Sequence, residues 1–245
     1  MGKLKKRTVL ITGVTGGIGS ETAKLFAREG WDVAGQYSLS ESKAKELAKS
    51  IDRVGARVRM FKADLSTKAG IQSLANKIKK LDIDVMINCA GTYLVDKHFS
   101  ELTADEITRT FMVNTFAPML LSSIIFKRMM ENRFGRIVNI SSIAAKYGGS
   151  ERSLHYGCSK RALEGLTKTL ARCGAGSNVL VNTLRLGVID TDFHRKFPKD
   201  MKKRVAMIPL KKMGDVKDVA EFIYYLGSDK NTFITGETIT MAGGE

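Results

Sequence analysis

Cysteine, proline and tryptophan are scarce in this chain of 245 residues, at three, three and one. The cysteines (Cys89, Cys158, Cys173) are odd in number and lack C-x-x-C spacing. That excludes a disulfide framework and makes a zinc site unexpected, and it implies a reducing compartment. His98, His155 and His194 do not cluster, so no metal site is expected. No apolar run approaches the roughly 20 residues that cross a bilayer, so no membrane segment is expected. Lys3, Lys5, Lys6 and Arg7 before Val9-Leu10-Ile11 mimic a signal sequence, but the run breaks at Thr12-Gly13 without a cleavage site. A cytoplasmic location is expected.

Acidic residues are short as well: 25 Asp+Glu stand against 40 Lys+Arg, a net charge of +15. Such an excess attracts nucleic acid, anionic membrane or an acidic ligand or partner, and it equally describes a plain soluble surface. No helix-turn-helix, zinc-finger or aromatic-basic RNA motif is present, so nucleic acid is not the expected partner.

What the chain does hold is alternation. Short β-branched runs at 8–12, 32–37, 57–62, 84–88, 136–140, 179–184 and 237–241 alternate with amphipathic stretches at 17–29, 41–54, 68–81, 103–132 and 156–171. That order predicts βαβ units in one α/β domain over 1–245, a doubly wound parallel sheet with helices on both faces. Such sheets bind ligands beyond the carboxyl ends of their strands. The residues closing each strand are therefore the functional candidates.

The first run enters Thr12-Gly13-Val14-Thr15-Gly16-Gly17-Ile18-Gly19. Glycines there allow a tight turn and bring the N–H groups of a helix start against a pyrophosphate. Gly13, Thr15, Gly17, Ile18 and Gly19 are thus cofactor candidates. The second run ends at Gln36-Tyr37-Ser38, about 18 residues on, without the Asp or Glu that holds the ribose of NAD. With no carboxylate to repel a 2′-phosphate, and Lys43 nearby, Tyr37 and Ser38 favour NADP(H) over NAD(H). Asp64-Leu65 and Asn88-Cys89-Ala90-Gly91 close the next two runs, as ligand contacts or as turn formers.

The fifth run leads into Ser141-Ser142, and fourteen residues beyond Ser142 the stretch Tyr156-Gly157-Cys158-Ser159-Lys160 opens a helix. Tyr and Lys four apart share a helical face. An ammonium beside a phenol is expected to lower a pKa that is otherwise about 10. Tyr156 is the candidate proton carrier and Ser142 a donor to a substrate carbonyl. Tyr93-Leu94-Val95-Asp96-Lys97 repeats the spacing, but in a loop and with no serine at the matching distance upstream. It reads as a decoy.

Together these elements resemble the short-chain dehydrogenase/reductase family over essentially the whole chain. The resemblance rests on the turn at 12–19, Asp64-Leu65, Asn88-Cys89-Ala90-Gly91, Val113-Asn114, Asn139-Ile140-Ser141-Ser142, Tyr156 with Lys160, Thr191, Ile234-Thr235-Gly236 and Ala242-Gly243-Gly244. It implies a seven-stranded Rossmann sheet and hydride transfer between a nicotinamide and a carbonyl or alcohol. It also implies a catalytic set of Asn114, Ser142, Tyr156 and Lys160. Asn114 would anchor a water between Lys160 and solvent, and Lys160 would hold the nicotinamide ribose. Asn88, Ala90, Gly91, Gly187, Val188 and Thr191 would join the cofactor site.

The 3-oxoacyl-acyl-carrier-protein reductases are the most similar branch. They imply fatty acid biosynthesis, a thioester on acyl carrier protein or coenzyme A, and a homotetramer or homodimer. Arg133 matches a carrier-contacting position, and His155 is a second substrate candidate. Residues 187–213 would form a basic substrate lid carrying Arg195, Lys196, Lys199, Lys202, Lys203, Arg204, Lys211 and Lys212. A reductase of sugars, steroids or other small alcohols, and a non-catalytic NADP-binding regulator, remain as alternatives.

Some positions depart from the family pattern. Leu186 precedes Gly187 where proline is usual, and Gly16 and Leu39 stand where phosphate-binding members carry basic residues. Ser177 replaces an expected arginine, and the interval from Ser142 to Tyr156 is one residue longer than usual.

Overall fold

In the computed structural model, which describes residues 6–193 and 200–245, the β-branched runs form strands of one sheet. These are β1 (Thr8–Ile11), β2 (Asp32–Tyr37), β3 (Val58–Lys62), β4 (Val85–Asn88), β5 (Gly135–Ser142), β6 (Val179–Leu186) and β7 (Thr238–Met241). Their order is β3-β2-β1-β4-β5-β6-β7, and every pairing is parallel. The sheet is apolar on both faces because alternate residues serve different cores. Val9 and Ile11 of β1, with Val85 and Ile87 of β4, enter one cluster, while Leu10 and Met86 enter the other. Strands buried on both sides read as continuous apolar runs.

Helices α1 (Gly17–Arg28), α2 (Glu41–Asp52) and α9 (Val216–Gly227) cover the first face, and α3 (Lys68–Ile78), α5 (Ala117–Glu131) and α7 (Leu154–Gly174) the second. The doubly wound arrangement is as expected from alternation. β1 lies between β2 and β4, so the chain leaves it in opposite directions and opens a crevice above its carboxyl end.

The expected helix over 103–132 is interrupted. Thr103 caps α4 (Ala104–Phe111) through a capping box with Glu106, and a π-helical turn over Met112–Phe116 then leads into α5. In this turn the Ala117 N–H bonds five residues back, to the Met112 carbonyl. Proline explains the extra residue. An α-helix would pair the amide of position 118 with the Asn114 carbonyl, and Pro118 has no N–H and would clash there. The wider turn relieves that clash at Asn114.

The composition reading also needs one correction. The continuous stretch Ala104–Glu131 is long and apolar enough to cross a bilayer by length and composition, with a mean hydropathy of 1.3 in its richest window. Of that window, 56% is buried inside the protein, where Leu121, Ile125 and Met129 pack with Ile71 and Leu74 of α3. It is built as a core helix.

Candidate active site

The glycine-rich turn is shaped by close approach. Gly13 has φ +66°, and a β-carbon there would sit 2.8 Å from the Ala90 Cα; one on Gly19 would sit 2.5 Å from the Gly13 carbonyl oxygen. No side chain caps α1, whose N-cap is Gly16, and its first turn carries no acidic residue. Its leading N–H groups therefore face a cleft of about 1110 Å³ as free donors at the positive end of the helix. Two side chains hold the strand ends around this cleft. Thr12 Oγ1 accepts the amides of Cys89 and Ala90, each at 3.1 Å, joining β1 to β4. Gln36 accepts the Gly13 amide at 2.8 Å and donates to the Ala63 carbonyl at 2.8 Å. Gln36 was not a candidate, although its place beside Tyr37 at the end of β2 was visible in the sequence.

Every cofactor candidate from the sequence lines the cleft except Tyr37 and Asn88. Tyr37 turns into the core against α2, at 9% exposure, because strand parity sends position 37 to the covered face. Beyond the end of β2 the cleft is lined instead by Ser38, Leu39, Ser40 and Lys43, whose Nζ lies 3.3 Å from Asp192. Asn88 is buried below the cleft, donating to Asn139 Oδ1 at 2.7 Å and Ser122 Oγ at 3.2 Å. Asn139 donates in turn to Thr167, at 2.9 Å. Asn88 is thus a tie between β4, β5 and α5.

Ser142 ends β5, and Tyr156 and Lys160 project from the first turns of α7. All three line the cleft, and the Ser142 hydroxyl, which accepts the Ala144 amide at 3.2 Å, stands near enough to the Tyr156 phenol to oppose a rise in its pKa. The Lys160 ammonium donates to the Ile140 carbonyl at 2.8 Å and lies 6.0 Å from the Tyr156 ring centroid. This overturns one electrostatic expectation. Burial raises the phenol's pKa, and the Ser142 hydroxyl, not the lysine charge, opposes the rise. Burial likewise holds Lys160 down at about 8, and pushes the neighbouring Cys89 thiol up to about 11.

Asn114 lies in the π turn with its carboxamide engaged. It accepts the Thr92 amide at 2.9 Å, and it donates to the Thr92 carbonyl and to Ser159 Oγ, each at 2.9 Å. A β-carbon on Gly91 would sit 3.1 Å from Lys160 Nζ and 3.7 Å from Asn114 Oδ1, so glycine leaves the space between them open.

The rival Tyr-Lys pair diverges. The Tyr93 hydroxyl donates to the Arg152 carbonyl at 2.6 Å and to Asp96 at 3.0 Å, and Lys97 pairs with Glu106 at 2.6 Å. Burial and Asp96 raise the Tyr93 pKa further from neutrality. Its ring walls the cleft, edge-on to Tyr156 at 5.9 Å. His155 is not a cleft residue: it is buried behind Tyr93, stacked on it, with Nε2 at 2.9 Å from the Tyr93 carbonyl. Arg133 is not brought to the cleft either. It sits at φ +51° in the turn before β5, at the opposite end of the strand from Ser142.

The long interval before Tyr156 holds α6 (Ala144–Tyr147) and a turn through Gly148 and Gly149, both at positive φ. Gly149, Ser150 and Ser153 of this turn line the cleft. Of the basic lid, Arg195, Lys196 and Lys199, with His194, lie outside the described residues, as do Lys3 and Lys5. Arg204, on α8 (Met201–Met207), reaches the cleft and pairs with Glu245 at 2.6 Å. Arg109 of α4 reaches it too, with no side-chain partner among the described residues. Neither Arg109 nor Glu245 was marked by sequence pattern.

Over residues 13–245 the chain matches the family described as enoyl-(acyl carrier protein) reductase. It is 31% identical over 246 residues to the 3-oxoacyl-[acyl-carrier-protein] reductase FabG of Thermotoga maritima, covering 99% of this chain and 98% of that one. A solved structure described as a short chain dehydrogenase/reductase family protein aligns at TM-score 0.86 and 29% identity, covering 99% and 98% of the two chains. This chain belongs to the short-chain dehydrogenase/reductase family. A 3-oxoacyl (acyl-carrier-protein) reductase from Agrobacterium tumefaciens C58, solved with NADP bound, aligns at TM-score 0.89 and 26% identity over 99% of this chain and 95% of that one. As a short-chain dehydrogenase/reductase, the chain is an NAD(P)-dependent oxidoreductase built on a seven-stranded sheet.

Proposed function

We propose that this enzyme uses NADPH to reduce a carbonyl to an alcohol, its substrate a 3-oxoacyl thioester on acyl carrier protein or coenzyme A. The observation that carries the reading is the half-buried Tyr156 phenol beside Ser142 and Lys160, in a cleft that also receives the uncapped start of α1. The leading N–H groups of α1 would hold the pyrophosphate. Ser38, Ser40 and Lys43 would take the 2′-phosphate, and Lys160 the nicotinamide ribose. The bound cofactor supplies the hydride. As the substrate oxygen gains charge, Ser142 donates to it and Tyr156 gives up its phenolic proton. A phenol whose pKa is raised by burial keeps that proton until it is needed, which suits a general acid in the reductive direction. Lys160 would return the proton, and Asn114, near it beside Gly91, would anchor the water that links it to solvent. Arg109 offers the cleft a positive charge for an anionic handle, whereas the charge of Arg204 is met by Glu245.

A carbonyl panel followed by NADPH absorbance tests the reading. It should contain acetoacetyl thioesters on carrier and on coenzyme A, a trans-2-enoyl thioester, a keto sugar and a small neutral ketone. Turnover of the acetoacetyl thioesters to 3-hydroxyacyl products is expected. Turnover of the enoyl thioester or the sugar alone would replace the substrate assignment. NADPH binding without turnover of any member would make the chain a regulator.

A further inference from the structure

A buried carboxylate next to the active site does more than the catalytic reading requires of it. Glu164 lies on α7 one turn beyond Lys160 and is 6% exposed. Its Oε1 accepts from Ser141 Oγ at 2.8 Å and from Arg185 Nε at 2.8 Å; its Oε2 accepts from Arg185 Nη2 at 2.7 Å and Arg161 Nη1 at 3.2 Å. Four donors thus occupy one carboxylate, and the Arg185 fork fixes its plane. Ser141 is the residue before Ser142, and its register partner across the sheet is Arg185 of β6, which also reaches Thr240 of β7 at 3.4 Å. Successive strand side chains face opposite ways, so a hold on Ser141 sets the direction in which Ser142 leaves the strand. The same carboxylate rides on the helix that carries Tyr156. One side chain therefore spans the two elements that must meet for proton transfer.

We propose that Glu164 is a positioning residue that sets Ser142 against Tyr156, a role that rests on the carbonyl-reductase reading given above. It touches neither substrate nor cofactor. Its effect passes through Ser141 to Ser142, whose hydroxyl shares the cleft with the phenol. The alternative is a purely structural tie between α7 and the sheet, which would act on stability without regard to Ser142.

A double-mutant cycle on the holoenzyme separates the two. Glu164→Gln, Ser142→Ala and the double variant are compared by kcat on the best carbonyl of the panel, by the pH profile of kcat, and by thermal unfolding. Glu164→Gln is expected to lower kcat about tenfold, since small misplacements near the chemistry are costly. The alkaline limb assigned to Tyr156 should move to higher pH, with NADPH affinity unchanged. In the Ser142→Ala background the same substitution should cost less than about twofold, because its route is already cut. Equal losses in both backgrounds, or a loss that follows unfolding temperature with no movement of the limb, would overturn the proposal. Ser141→Ala leaves the Glu164–Arg185 pair whole and guards against a variant that fails to fold. It should move the limb in the same direction, and an unchanged profile would also count against the role. If Ser142→Ala is itself as active as the parent, the catalytic reading has failed, and the positioning role falls with it.

Discussion

Tyr156 and Tyr93 stand edge-on in one cleft, each four residues from a lysine, yet only one phenol is free to give up a proton. Tyr93 spends its hydroxyl on Arg152 and Asp96. Tyr156→Phe should therefore lower kcat by about 10²–10⁴-fold or more while NADPH binding, followed by fluorescence, stays near the parent value. Tyr93→Phe should leave kcat within about threefold. Lys160 gives a pH signature. Its folded value of about 8 lies below the ordinary 10.5, so between these limits the unfolded chain binds more protons than the folded one. Stability must then rise with pH across that window, and the cost of burying the ammonium is fully present below about 8. Denaturant titrations should show parent stability, relative to Lys160→Met, growing from about pH 8 to about 10.5. Beyond the end of β2, Lys43 is the cation that lines the cleft beside Ser38 and Ser40, where the proposed function puts the 2′-phosphate. The parent should prefer NADPH to NADH by at least about tenfold in kcat/KM, roughly 1.4 kcal/mol, and Lys43→Glu should remove most of that preference.

The turn between β1 and α1 works as a unit, because Gly13 and Gly19 are set against backbone, although Gly17 is set against the Thr191 side chain. A β-carbon on Gly19 would meet the Gly13 carbonyl at 2.5 Å, and a carbonyl has nowhere to go without moving the turn. Gly19→Ala should destabilise the fold by about 1–3 kcal/mol, as overpacking does, and weaken NADPH binding in the same variant. Calorimetry and a binding titration check both. This turn was legible in the sequence for the same reason that it is rigid: only glycine fits. The central strands β1 and β4 were legible because two apolar faces leave short runs such as Val9-Leu10-Ile11 and Val85-Met86-Ile87. Tyr37 was misplaced because a strand's end does not reveal which face its last side chain takes. Arg133 was expected before the fifth strand and lies there, away from the cleft, where only contact with a carrier outside the cleft would use it. The π turn at Asn114 was hidden because its cause, Pro118, lies inside a stretch whose apolar pattern is otherwise helical.

At the scale of the whole molecule, a net charge of +15 and Arg109 at the cleft, without a side-chain partner among the described residues, are what the proposed acidic carrier would be drawn to. Exposed charges are screened beyond about 8–10 Å at 0.1–0.15 M salt. kcat/KM for the carrier-linked thioester should therefore fall steeply with added salt, while that for a small neutral ketone stays flat. A flat profile for both would leave the charge as ordinary surface. The apolar side chains of Phe116, Met119 and Leu120 along α5 and its π turn are 42–52% exposed, and they offer a face for self-association. The distribution of thiols over the fold gives that question a simple reporter. The Cys89 thiol in the cleft wall, its pKa pushed up to about 11 by burial, is expected to resist alkylating reagents near neutrality, whereas Cys158 and Cys173 lie exposed on α7. A colorimetric sulfhydryl titration of the native protein therefore counts the free surface of the catalytic helix. Two fast-reacting groups per chain mean that α7 faces water, and fewer mean that another copy lies over it.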